Sequence, residues 1–205
     1  MRFREFESQV KHLPAFNLND VRKFDPSFYR QQFHTWQKLG YIKPLAGGYY
    51  LLADQPLDEA YLFVLANKLY QPSYISLESA LAYHHIIPES VLGITSISSR
   101  KTRQFESEWG TFSYRSLKPA YMFGYQLLET SQGFKILIAT LEKAVLDTLY
   151  LDSHIQSAAD FEGLRWNKAA LQHLKDSDTF QKYLAVFNKN ALEGRVAHLM
   201  EYLHA

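Results

Sequence analysis

The run Asp25-Pro26-Ser27-Phe28-Tyr29-Arg30-Gln31-Gln32-Phe33-His34-Thr35-Trp36-Gln37-Lys38-Leu39-Gly40, continued by Tyr41-Ile42-Lys43-Pro44-Leu45-Ala46-Gly47-Gly48-Tyr49-Tyr50-Leu51-Leu52, decides the fold of the first part of the chain. Asp25 before Pro26 has the form of an N-cap followed by a first-position proline, and Gly40 the form of a left-handed stop, so a helix is predicted from Pro26 to Leu39. At helical spacing, Phe28, Tyr29, Phe33, Trp36 and Leu39 fall on one side, where they are expected to be buried. Ser27, Arg30, Gln31, His34 and Lys38 collect on the other. Two short apolar stretches around Gly47-Gly48 then read as a hairpin. Upstream, residues 2–12 read as a helix ending near Pro14, and Asn17 can cap a second helix from Leu18 to Phe24 whose apolar positions are Leu18, Val21 and Phe24.

Three helices followed by a hairpin is the winged helix-turn-helix order, which predicts such a unit over residues 1–53. The remainder, 54–205, reads as an α/β body. Asp54-Gln55-Pro56 opens a largely apolar helix from Leu57 to Tyr70, Gln71-Pro72-Ser73 breaks it, and Ser76 can cap a helix reaching about His84. Strand patterns follow at Val91–Ser98, Thr111–Ser116, Tyr121–Leu128 and Phe134–Ala139. Leu141 to Leu151 returns to helix, with Leu141, Ala144, Val145, Thr148 and Leu149 as its inner face. Lys143 and Asp147 share the opposite face, a pair worth a few tenths of a kcal/mol at most in this order. Further helices start near Asn167, Ser177 and Asn190, the last with Glu193 in the form of a capping box. The predicted class is α/β of the α+β kind: a winged helix-turn-helix, then a mixed body with a small sheet and C-terminal helices.

Composition narrows the functional classes. The chain has 205 residues, of which 47% are hydrophobic, with 14 Tyr and 14 Phe, enough for a packed core. It contains no Cys, which removes disulfides and thiolate zinc sites and suits a cytoplasmic protein. No apolar run has membrane-spanning length, and the start Met1-Arg2-Phe3-Arg4-Glu5 lacks the apolar segment of a secretory signal. Residues 1–52 hold eight basic and four acidic residues, a net of +4, while the rest holds fourteen and seventeen, a net of −3. A basic head on an acidic body suits a nucleic-acid contact at one end.

The third helix is the main functional candidate. Aromatics would seat it on its scaffold while Ser27, Arg30, Gln31, His34 and Lys38 reach base edges or phosphates, and Lys43 on the hairpin would add a phosphate contact. Arg100, Lys101 and Arg103, in a predicted loop, form a second candidate that would hold phosphates or an acidic partner. Adjacent His84 and His85 point about 100° apart on a helix and make a poor metal pair. Asp152-Ser153-His154 has the letters of a triad but the position of a helix-end turn. Glu142 and Asp147 diverge around the helix as paired carboxylates should not. No phosphate-cradling or metalloprotease motif is present. The expectation is a non-enzyme without cofactor or metal.

Several strings in order resemble the AbiEi-type antitoxins, the regulator half of abortive-infection type IV toxin–antitoxin pairs. They are Tyr74-Ile75-Ser76-Leu77-Glu78-Ser79-Ala80-Leu81, then His84-His85-Ile86-Ile87, Gly110-Thr111-Phe112-Ser113-Tyr114-Arg115, Tyr121-Met122-Phe123-Gly124-Tyr125, and Ile138-Ala139-Thr140-Leu141-Glu142-Lys143-Ala144-Val145-Leu146-Asp147. The likeness covers roughly the first 165 residues; the family often has Gly where His85 stands and Pro where Leu141 stands. The resemblance implies a winged-helix head that binds operator DNA and represses its own operon. It further implies a body that opposes a nucleotidyltransferase-like toxin, without a stable antitoxin–toxin complex being assumed. Arg30, Gln31, His34, Lys38 and Lys43 fall on the corresponding helix and wing. Two other readings stand beside it: a protein-interaction module whose helix-turn-helix does not read DNA, and a nucleotide binder using the Arg100–Arg103 loop.

Overall fold

The computed structural model describes residues 1–55, 57–88 and 93–204. Three short helices open the chain: α1 (Phe3–Val10), α2 (Leu18–Arg22) and α3 (Gln31–Lys38). The Asn17 side chain caps α2 by accepting the amides of Asn19 and Asp20. Strands β1 (Ile42–Pro44) and β2 (Tyr50–Leu52) follow as an antiparallel hairpin with Ile42 opposite Leu52. One apolar cluster holds these elements together, built around Phe6, Phe16, Phe28, Phe33, Trp36 and Tyr50.

α3 starts at Gln31 rather than at Pro26. The reason is local: Asp25 does not cap the helix, because its Oδ1 accepts the Ser27 amide at 3.1 Å and the Ser27 hydroxyl at 2.7 Å. That Asx turn competes with helix initiation and delays it. Phe28 still turns inward, its carbonyl accepting from Arg22 Nε at 3.4 Å. Tyr29 and Leu39, expected inside, are 70% and 57% exposed, and Phe24, beyond the end of α2, is also exposed.

In the body, α4 (Glu59–Leu69) is capped by Asp58, whose Oδ1 accepts the Tyr61 amide, and not by Asp54. Pro56 lies outside the described residues. Next come β3 (Ser73–Ile75), α5 (Leu77–Tyr83) and β4 (Gly93–Ser98); the expected strand start at Val91 also lies outside the described residues. β5 (Arg103–Ser107), β6 (Gly110–Ser116), β7 (Tyr125–Glu129) and β8 (Lys135–Ala139) complete a mixed sheet ordered β5-β6-β4-β3-β8-β7. β3 and β5 were not expected as strands, and Tyr121 belongs to a 3-10 turn rather than to β7.

Tyr74 on β3 donates to Asp147 of α6 (Leu141–Leu151), and Tyr114 on β6 donates to the Ala66 carbonyl of α4. Tyr74 pairs with Ile97 while Tyr114 pairs with Ser96, so strand alternation puts the two tyrosines on opposite faces of the sheet. Helix α4 therefore covers one face, and α5 and α6 the other. Helices α7 (Asp160–Leu164), α8 (Lys168–Leu171), α9 (Asp178–Phe187) and α10 (Asn190–His204) close the chain, α9 and α10 packing on the outer side of α6. Asn167 and Ser177 cap their helices, whereas Asn190 is already helical and the Lys189 carbonyl accepts the Leu192 and Glu193 amides.

The N-terminal unit is docked on this body. Ala15, Leu45 and Leu51 join the body's apolar cluster, and Tyr61 donates to the Pro14 carbonyl at 2.7 Å. At the hairpin tip, a Cβ added to Gly47 would stand 3.3 Å from the Phe105 ring and 3.5 Å from Leu69. Among the described residues, no helix is long and apolar enough to cross a membrane.

Candidate nucleic-acid interface

α3 presents Gln31, His34, Thr35 and Lys38 outward along one stripe, while Phe33 and Trp36 fix its other side in the aromatic cluster. Phe33 meets Phe28 at 4.9 Å and Tyr50 at 4.7 Å between ring centroids, and Trp36 meets Phe6 at 4.5 Å. Such packing gives the outward stripe a rigid backing. Arg30 stands at the N-cap position of α3 and is exposed; Ser27 lies in the preceding turn with its hydroxyl committed to Asp25. Lys43 is exposed on β1, opposite Leu51. Among the described residues, neither Arg30, Lys38 nor Lys43 has an acidic side chain within ion-pairing distance. Asp20 of α2 pairs with Lys23 and Lys68.

At the foot of α3, Arg30 shares an open cleft of about 400 Å³ with Asn17, Asn19, Gly47 and Gly48. Asn19 is a polar group that sequence reasoning missed, because it was read only as part of a short amphipathic helix. The hairpin tip does not project freely, since Gly47 sits against Phe105 and Leu69, while α3, Arg30 and Lys43 of β1 remain exposed.

Arg100, Lys101 and Arg103 are exposed, but only Arg100 and Lys101 lie in a loop, since Arg103 begins β5. The Arg100 guanidinium lies 4.2 Å from the Tyr70 ring centroid and donates to the Gln71 carbonyl at 3.2 Å. Arg103 lies 4.6 Å over the Phe105 ring. Aromatic stacking immobilises both cations without neutralising them.

The other residues singled out by sequence separate. His84 Nε2 meets the Ala139 carbonyl at 2.8 Å, and burial pushes its pKa below the usual histidine value. His85 is exposed. Asp152 accepts the His154 backbone amide at 2.9 Å, which makes Asp152-Ser153-His154 a turn on the wall of a cleft shared with Glu78 and Arg115.

Lys143 and Asp147 overturn the reading of an outward pair: both are 0% exposed. Lys143 Nζ donates to Asp147 Oδ1 and, at 2.9 Å, to the Tyr74 oxygen, while Tyr74 and Ser76 hydroxyls each donate to Asp147 Oδ2 at 2.8 Å. Ser76 therefore spends its hydroxyl on Asp147 and makes no side-chain cap for α5. Burial drives Lys143 down and Asp147 up in pKa, and their mutual attraction opposes both shifts. Rings of Phe123 and Phe187 stand 5.0 Å from the ammonium. Gly124 allows that closeness, since a Cβ there would lie 2.8 Å from Tyr183 and 3.1 Å from Lys143, on a backbone with φ +69°.

Neither protein-family models nor curated proteins give a match to this chain.

Proposed function

We propose that this chain is a DNA-binding transcriptional regulator of the AbiEi antitoxin kind, with residues 1–53 as a winged helix-turn-helix and α3 as its recognition helix. The observation that carries the reading is the outward stripe Gln31, His34 and Lys38 on an aromatic-backed helix, with Arg30 at its start and no acidic partner for either cation among the described residues. Gln and Arg are the side chains that pair with adenine and guanine edges, and Lys38 and Lys43 suit phosphates. Two backbone details favour the family assignment. His85 has φ +59°, where glycine is unstrained, and the resembled family often has Gly there. Leu141 is the first residue of α6 after the Thr140 cap, where the family's Pro would fit without loss of a hydrogen bond. In this reading the protein is cytoplasmic, non-enzymatic and free of cofactors; it represses its own operon and counters a nucleotidyltransferase-like toxin. Arg30→Ala/His34→Ala should weaken binding to DNA upstream of the gene at least about tenfold with the fold intact. Unchanged affinity would remove α3 as the reading helix.

A second reading, a protein-interaction module, draws on the exposed Tyr29, Leu39 and Tyr41 around the same helix, at 70%, 57% and 43% exposure. Co-purification of a neighbouring gene product, with no DNA shift at low salt, would favour it.

A further inference from the structure

β3 and β8 are parallel neighbours that share the single pair Ile75–Ile138. Toward Ser73 and Lys135 no further pair joins them, and the Leu137 amide donates at 2.7 Å to the Asn67 side chain of α4 instead of to a strand. The parting leaves a cavity of about 330 Å³, with Asn67 and Ser73 in its wall. Two polar groups there are buried and lack partners among the described residues: Asn67 Nδ2 and Ser73 Oγ, with Ser73 only 5% exposed. An orphaned buried donor is disfavoured unless something completes it. Tyr125, half-exposed at the rim, stacks on buried Tyr74 at 4.9 Å and 25°. Met122, Leu127 and Leu137 add apolar wall, and among the described residues the only charged side chain in the lining is the exposed Lys135.

From this arrangement we infer that the cleft between β3 and β8 binds a small flat aromatic anion. Its ring lies against Tyr125 and the apolar wall, acceptor atoms take the Asn67 amide and the Ser73 hydroxyl, and its charge meets Lys135. The volume is at the low end for small-molecule sites and suits one ring system with a single acidic group. The site also adjoins the head: after Asn67, Lys68 pairs with Asp20 at 3.7 Å and Leu69 packs toward Gly47 of the hairpin. Occupancy at Asn67 is thereby within one helical turn of the contacts that hold the head.

The test is calorimetric and ligand-observed NMR titration of the full chain with benzoate and indole-3-carboxylate, with nucleoside 5′-monophosphates as a second arm and benzamide as the neutral control. A carboxylate or a monophosphate should bind saturably and better than benzamide, the responding arm identifying the acid. Ser73→Ala and Asn67→Leu should each weaken that binding about tenfold, as loss of a buried hydrogen bond does, and Lys135→Ala should erase the advantage over benzamide. Thermal melts verify that each variant is folded. No saturable binding from either arm at millimolar ligand overturns the inference, as does binding that Ser73→Ala and Lys135→Ala leave unchanged. DNA affinity enters neither result, so this inference and the regulator reading fail independently.

Discussion

The ammonium of Lys143 and the carboxylate of Asp147 meet one turn apart on α6, where both are removed from water. An exposed pair in this order would contribute a few tenths of a kcal/mol; a buried one behaves differently, because removing either member strands a charge. Lys143→Met should therefore destabilise the protein by about 3–5 kcal/mol in urea unfolding, and Lys143→Met/Asp147→Leu should regain most of that loss. A double variant as unstable as the single one would contradict the account. Helical periodicity correctly put the two residues on one face, but it could not say what covers that face. The cover comes from Phe187 and Tyr183 of α9, about forty residues further along the chain. Burial of this kind is a long-range fact, invisible to a window of local sequence.

Among the elements, local competition, shortness and exposure each hide structure. Asp25 looks like a cap, yet its carboxylate closes a turn on Ser27, so α3 loses its first expected turns and Ser27 leaves the helix. β3 is three residues between a proline break and the start of α5, too short to show a period, although it lies inside the sheet. β5 was hidden because its exposed Arg103, Gln104 and Glu106 read as loop. By contrast α6, the hairpin and the caps at Asn17, Asn167 and Ser177 were legible, since each depends on adjacent residues alone. The two sides of α3 should respond oppositely to substitution. Phe33→Ala, which empties the centre of the aromatic cluster, should cost about 3–5 kcal/mol of stability, whereas His34→Ala should shift it by less than about 0.5 kcal/mol. Denaturant titrations of the two variants give the comparison; equal losses would place His34 in the packing and not on the reading face.

Across the whole molecule, the short junction near Asp54 implies that head and body pack together, without saying which residues meet, and residues 1–52 carry a net charge of +4. The glycine pair at the hairpin tip marked a turn, while its partner Phe105 lies on a strand far along the chain. With the tip seated, and with Tyr61 and Lys68 tying the head to α4, the outward stripe of α3, Arg30 and Lys43 remain exposed. Three cations on that surface set an expectation for electrostatics, because each neutralised phosphate releases counterions. Whether this surface reads DNA is decided by an anisotropy titration of the intact chain. The duplex upstream of its own gene is compared with a scrambled one of equal length, between about 50 and 200 mM salt. A clear preference for the first duplex and a log–log salt slope of about −3 are expected. Equal affinity for both duplexes, or no binding at the lowest salt, would contradict a DNA-reading surface.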